Sequence, residues 1–178
     1  MANDFKIDLE NIKKRAREHM MDGAVTDAYR ADKQKVIDVL NEALATEIVC
    51  ILRYKNNYFM ASGLQAGPIA QEFLTHANEE QQHADWISER ITQLGGVPNL
   101  NPEGLRTRSH ADYYEGGQDI VSMIKENLVA ERVAIESYSE MIYWIGDGDP
   151  TTKRMLEDIL KMEEEHADDL SGYLENMS

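Results

Sequence analysis

Residues 79–85 read Glu-Glu-Gln-Gln-His-Ala-Asp, and residues 163–168 read Glu-Glu-Glu-His-Ala-Asp. Each stretch contains Glu-x-x-His: Glu80 with His83, and Glu163 with His166. Upstream of each lies a lone glutamate followed seven residues later by a tyrosine, Glu47 with Tyr54 and Glu131 with Tyr138. The spacing from lone glutamate to motif glutamate is 33 residues in the first copy and 32 in the second. Composition alone predicts about half a chance Glu-x-x-His match in such a chain. Two matches with a shared upstream spacing and a shared tyrosine offset are a repeated unit.

The pattern around these motifs is helical. From about Ala31 to Ala61, the residues Val36, Leu40, Ala43, Leu44, Glu47, Ile51 and Tyr54 recur at steps of three or four. Glu47 thus falls inside an apolar stripe, where an unpaired carboxylate is costly. Gly63 breaks this helix. Gly67-Pro68 opens a second one, running to about Leu94 and ended by Gly95-Gly96-Val97-Pro98. A third runs from about Gln118 to Ile145, ended by Gly146-Asp147-Gly148. Asp149 is placed to cap the fourth, with Pro150 at its first position. The stretch from Gly95 to Gly117, with a short helical turn expected near Ser109 to Tyr114, is long enough to span the bundle. The expected fold is all-α: a four-helix bundle with one long crossover between helices 2 and 3. Residues 28–178 form the bundle. Residues 1–27 form an N-terminal extension, with a short amphipathic helix from Asp8 to Met21 carrying Leu9, Ile12, Ala16 and Met20 on one face.

The turns test the repeat. Gly63 is the midpoint between Glu47 and Glu80, and Asp147-Gly148 is the midpoint between Glu131 and Glu163. Residues equidistant from the turn of an antiparallel hairpin share a height. Each glutamate pair therefore meets at one level, and the histidine at i+3 joins it. Face-to-face packing of the hairpins gathers Glu47, Glu80, His83, Glu131, Glu163 and His166 at mid-bundle. Hard carboxylates with a few imidazoles suit iron or manganese.

Bulk properties narrow the function. A formal net charge of −15 opposes direct nucleic-acid binding. No apolar run is long enough for a membrane span, and no signal peptide is legible at the N-terminus. Cys50 is the one cysteine, which fits a reducing, cytoplasmic setting, and its apolar surroundings mark it as a core residue.

With these residues in place, the chain resembles the ferritin-like superfamily over about residues 31–176. Within it, the likeness is to bacterioferritins and to Dps-like proteins with a bacterioferritin-type di-iron site. The resemblance implies that Glu80 and Glu163 bridge two iron ions, that Glu47 and Glu131 are terminal ligands, and that His83 and His166 serve one ion each. Manganese is the alternative metal. Tyr54 matches the tyrosine near the di-iron centre, a hydrogen-bond partner or electron donor, and is the candidate catalytic residue. The implied activity is a ferroxidase that oxidises Fe(II) with dioxygen or hydrogen peroxide and stores ferric mineral in a homo-oligomeric shell of 12 subunits, with 24 as the alternative. Gln81 stands where bacterioferritins carry a haem-ligating methionine, so haem is not expected. Only twelve residues follow His166, too few for a fifth helix. The competing readings are a di-metal peroxidase or catalase that stores nothing, and a DNA-protecting protein.

Four further readings stay open in the sequence. Glu79 suits either an orienting partner for a ligand histidine or a surface glutamate. Asp85 and Asp168 follow the histidines symmetrically but equally suit a solvated face. Tyr138 reads as a core tyrosine. His76 and His110 match no motif and read as structural or surface residues.

Overall fold

A computed structural model describes residues 6–62, 66–114 and 119–177. Six helices appear in chain order: α1 (Leu9–Glu18), α2 (Lys33–Met60), α3 (Ala66–Gln93), α4 (Leu105–Arg108), α5 (Ile120–Ile145) and α6 (Pro150–Asn176). Among the described residues there is no strand. The expected break at Gly63 and the expected helix start at Gln118 lie outside the described residues. Asp32, Asp119 and Asp149 cap α2, α5 and α6, each accepting a hydrogen bond from the backbone N–H three residues on. That contact satisfies one of the orphan donors at a helix start. Gly95 after α3 and Gly146 after α5 have positive φ, 81° and 51°, which glycine adopts without a Cβ clash as the chain leaves the helix.

The long helices pair as two antiparallel hairpins, α2 with α3 and α5 with α6, and α2 meets α5 while α3 meets α6. Two apolar clusters fill the bundle. One gathers Val36, Leu40, Ile91, Ile145 and Leu156, from the start of α2, the end of α3, the end of α5 and the start of α6. The other gathers Tyr54, Ile69, Phe73, Ile124 and Leu170, from the opposite ends of the same helices. The helix directions follow from those lists: α2 runs antiparallel to α5, so the connection from α3 to α5 must travel the length of the bundle.

It travels along α2. Asn99 N–H donates to Asn41 Oδ1 (2.7 Å), His110 N–H to Thr46 Oγ1 (3.0 Å), and Arg53 to the carbonyl of Asp112 (2.7 Å). The short helix sits earlier than the expected Ser109–Tyr114. Arg108 folds back onto the carbonyls of Asn99, Asn101 and Glu103 and closes α4 at Leu105–Arg108. Past Ser109 the chain bends at His110 and Ala111 and is held to α2 by the bonds at His110 and Asp112. Arg53 is 3% exposed and also donates to Glu126 O on α5 (2.6 Å), so one guanidinium joins α2, the crossover and α5. Arg53→Met should cost about 3–6 kcal/mol, since its two charge-assisted bonds contribute about 1.5–3 kcal/mol each. Hydrogen exchange should rise first at 109–112. Unchanged protection there would refute the tether.

No residue of α1 is buried; Leu9, Ile12 and Met20 are all exposed. Residues Val25, Tyr29 and Ala31 rejoin the bundle at the α5–α6 turn. Among the described residues, no helix is long and apolar enough to cross a membrane.

Candidate metal centre

Between the two apolar clusters lies one polar layer. Glu47, Glu80, Glu131 and Glu163 are each 1% exposed, His83 is 0% and His166 is 3% exposed. The bundle brings together all six residues that the sequence placed at this height. Four buried carboxylates without countercharge would be prohibitive, so the arrangement of the oxygens is informative.

Each imidazole Nδ1 faces three carboxylates. His83 Nδ1 lies 3.2 Å from Glu47 Oε2, 3.3 Å from Glu80 Oε2 and 3.0 Å from Glu163 Oε1. His166 Nδ1 lies 3.8 Å from Glu80 Oε1, Glu131 Oε2 and Glu163 Oε2. Glu80 and Glu163 therefore divide their oxygens between the two histidines, while Glu47 and Glu131 serve one each. Two four-residue groups result, Glu47-Glu80-His83-Glu163 and Glu80-Glu131-Glu163-His166.

The outer contacts orient these groups. Tyr54 on α2 donates its hydroxyl to Glu131 Oε1 on α5, and Tyr138 on α5 donates to Glu47 Oε1 on α2. His166 Nε2 lies 2.9 Å from Glu79 Oε2, so a hydrogen donated there leaves Nδ1 turned inward. On the other side, His83 Nε2 faces Met162 Sδ at 3.3 Å. Glu79 thus touches a ligand-type histidine, whereas Asp85 and Asp168 are exposed. Cys50 is buried beside Ala111 and Ala130 as a core residue, and burial pushes its thiol well up.

Two residues carry more than the sequence reading gave them. Tyr138 is not only packing, since it closes onto Glu47 as Tyr54 closes onto Glu131. The repeated offset was the available signal. His76 is buried, stacks on the His166 ring (centroids 4.1 Å apart) and has Nδ1 3.2 Å from the Tyr54 hydroxyl. Its signal was its position one turn before Glu80, on the same helix face. Burial and the neighbouring His166 push its pKa down to about 3. The His110 ring, by contrast, lies 3.5 Å from Glu42, away from the layer.

The donor set fits metal ions. Glu80 Oε1, Glu131 Oε2, both oxygens of Glu163 and Nδ1 of His166 are buried without a hydrogen-bond partner. These are the atoms that face one another across the layer. Without metal, the layer balances charge with protons. Burial opposes charge on His83 and His166, but the surrounding carboxylates outweigh it and hold both up to about 10. Burial and Glu163 raise Glu80 well above the carboxylate range and bring Glu131 to about 7. Burial also pushes Glu47 and Glu163 upward, but the histidines outweigh it and hold both below the usual value.

Metal ligation needs neutral imidazoles and ionised carboxylates. Loading two divalent ions at pH 7 should therefore expel at least about two protons per subunit, one from each imidazolium, with any further release coming from the raised Glu80 and Glu131 carboxyls. Because protons compete with the ions, affinity falls as pH falls. Calorimetry in two buffers of different ionisation enthalpy reads the count, and release of fewer than two would contradict this charge balance.

An all-helical bundle with a buried carboxylate and histidine layer able to hold metal ions is a recognisable class of protein. The ferritin-like domain family matches residues 37–178. Bacterioferritin of Desulfovibrio desulfuricans is 30% identical over 149 residues, covering 82% of this chain and 79% of that protein. The DNA protection during starvation protein of Halobacterium salinarum is 28% identical over 156 residues, covering 85% and 86%. Among solved structures, the bacterioferritin-related protein of Bacteroides fragilis, described as a dodecameric thioferritin, superposes with a TM-score of 0.80. It is 31% identical, with 94% of each chain covered. The chain belongs to the ferritin-like domain family.

Proposed function

We infer that this protein is a ferroxidase: it binds two Fe(II) ions as substrate in the Glu/His layer and passes their electrons to dioxygen or hydrogen peroxide. The observation that carries the reading is the division of oxygens, with Glu80 and Glu163 each facing both histidines. That pattern suits two ions held by shared carboxylates, with Glu47 and His83 completing one position and Glu131 and His166 the other. Each Fe(II) yields one electron, so a pair supplies the two that reduce dioxygen to hydrogen peroxide or peroxide to water. Manganese fits the same donors, and the metal supplied in the assay decides between them.

The similarity to a dodecameric relative supports a homo-oligomeric shell of 12 subunits that stores the ferric product. The cytoplasm is the compartment that fits a chain with one buried cysteine. Direct DNA binding, which the name of the nutrient stress-induced DNA-binding protein of Synechococcus states of that relative, is disfavoured here by the net charge of −15. Anaerobic addition of Fe(II) followed by air or peroxide tests the activity. The expected result is a fast phase that saturates at two Fe(II) per subunit, and light scattering of a large shell; a slow, unsaturable oxidation would refute the reading.

Tyr54 enters this reading as an orienting donor to Glu131. Tyr54→Phe leaves Glu131 Oε1 and His76 Nδ1 without their shared partner. Loss of such outer partners typically costs about 10–100-fold in activity or affinity. The fast phase should slow by that order while still saturating at two Fe(II) per subunit. An unchanged rate would remove Tyr54 from the machinery.

A further inference from the structure

His76 presents a problem of hydrogen accounting. The Tyr54 hydroxyl hydrogen is committed to Glu131 Oε1. Its oxygen therefore has only acceptor capacity left for His76 Nδ1, 3.2 Å away. Nδ1 must carry the hydrogen, and in neutral imidazole that leaves Nε2 as a bare lone pair. This nitrogen is buried and has no hydrogen-bond partner. It points at two carboxylates, with Glu72 Oε1 at 3.4 Å and Asp169 Oδ2 at 3.8 Å. A lone pair aimed at anionic oxygens is repelled by them unless a cation stands between.

A proton is a poor candidate for that cation. Charge-assisted N–H to carboxylate bonds draw in to about 2.7–2.9 Å, and both distances are longer. The three ligand atoms lie within 4.8 Å of one another, the spread a metal ion requires. Tyr173 donates to Glu72 Oε2 (3.4 Å), which leaves Oε1 to face His76. The Asp169 side chain is 55% exposed, so the group opens to water. Its inner wall is the His76 ring stacked on His166.

The second hairpin provides an internal control. By the repeat, Glu72, His76 and Asp169 correspond to Met155, Ile159 and Trp86. Ile159 is fully buried, and Met155 and Trp86 pack against the apolar cluster around it. The equivalent position beside His83 is closed and apolar. The polar group exists on the His166 side alone, and general acidity of the surface does not account for it.

We propose that Glu72, His76 and Asp169 form a third cation site, for a divalent first-row transition metal, at the solvent mouth of the His166 half of the centre. One nitrogen with two carboxylate oxygens suits such ions. Its role as the station through which Fe(II) enters rests on the ferroxidase reading; its occupancy does not. Crystals of the metal-free assembly soaked in Zn(II), with anomalous maps at the zinc edge, test it directly. A peak about 2.0–2.1 Å from His76 Nε2 is expected. In the Glu72→Gln, Asp169→Asn double variant that peak should vanish while peaks at the six-ligand layer persist. In solution the variant should bind one Co(II) fewer per subunit than wild type, read from the visible Co(II) bands. A wild-type map with no peak at His76, or a peak and Co(II) count unchanged in the variant, would overturn the proposal. An empty six-ligand layer would instead count against the ferroxidase reading, whatever stands at His76.

Discussion

Replacing Glu80 and Glu163 together by glutamine should abolish the fast phase of iron oxidation while the metal-free protein still folds. Among the described residues, these two side chains are the ones whose oxygens face both histidines. Removing their charge takes a ligand from each metal position twice over. Loss of an outer partner alone costs about 10–100-fold, so losing both shared ligands should exceed about 100-fold and leave only the uncatalysed rate. Folding should survive because glutamine keeps the shape, and because burial and Glu163 already hold Glu80 far above the usual carboxylate range. Its replacement by a neutral amide changes the metal-free charge little, whereas Glu163→Gln removes an anion that faces both imidazoles and should lower stability without abolishing folding. Stopped-flow oxidation and a chemical unfolding curve on the same preparation separate the two effects. A variant that oxidises iron at the wild-type rate would refute the site.

The second large effect is on stability. Arg90 on α3 donates from Nη2 to both oxygens of Asp149 (2.9 and 3.0 Å) and from Nε to Thr152 Oγ1 (2.8 Å). Asp149 also caps α6 and accepts from the Tyr29 hydroxyl. At 1% exposure this carboxylate has no water to turn to. Arg90→Met strands it, and breaking a buried pair from one side costs about 3–5 kcal/mol. For a chain of this size that corresponds to a fall in Tm of roughly 6–20 °C.

The pH dependence has a definite sign. Burial would raise the Asp149 pKa, but the Thr152 bonds and Arg90 outweigh it and leave it depressed. Its stabilisation is therefore fully present above the unfolded-state value of about 3.9. It is lost as pH falls through the lower folded value. The gap between wild type and variant should narrow below about pH 4. Thermal unfolding across pH reads both effects, and equal Tm values at pH 7 would show that the pair contributes nothing.

The helices and the six-residue layer were legible because each depends on spacing within one hairpin. Glu47 and Glu80 are brought level by a turn between them, and Pro150 after Asp149 marks a helix start whatever else the chain does. Contacts between hairpins were harder to read. The pairings of Tyr54 with Glu131 and Tyr138 with Glu47 depend on how α2 faces α5, which no local pattern encodes. His76 read only as a structural or surface residue for a related reason. Its counterpart in the repeat is Ile159, so it matches no repeated motif. The short helix was misplaced because Arg108 reaches back to three carbonyls across a loop with no periodicity to reveal it.

The crossing of the two tyrosines bears on how the monomer forms. Glu47 and Glu131 each turn Oε2 toward a histidine of their own hairpin, but Oε1 of each depends on a hydroxyl carried by the other hairpin. A hairpin folding alone keeps Glu47 or Glu131 in water, where a carboxylate is at ease. The unfavourable dehydration arises only at docking, at the moment the partner tyrosine arrives to offset it. Docking in a slipped register would bury the same charges with no hydroxyl to meet them. The tyrosines thus proofread the union of the two halves, and a correctly mated bundle is the only one in which the polar layer closes.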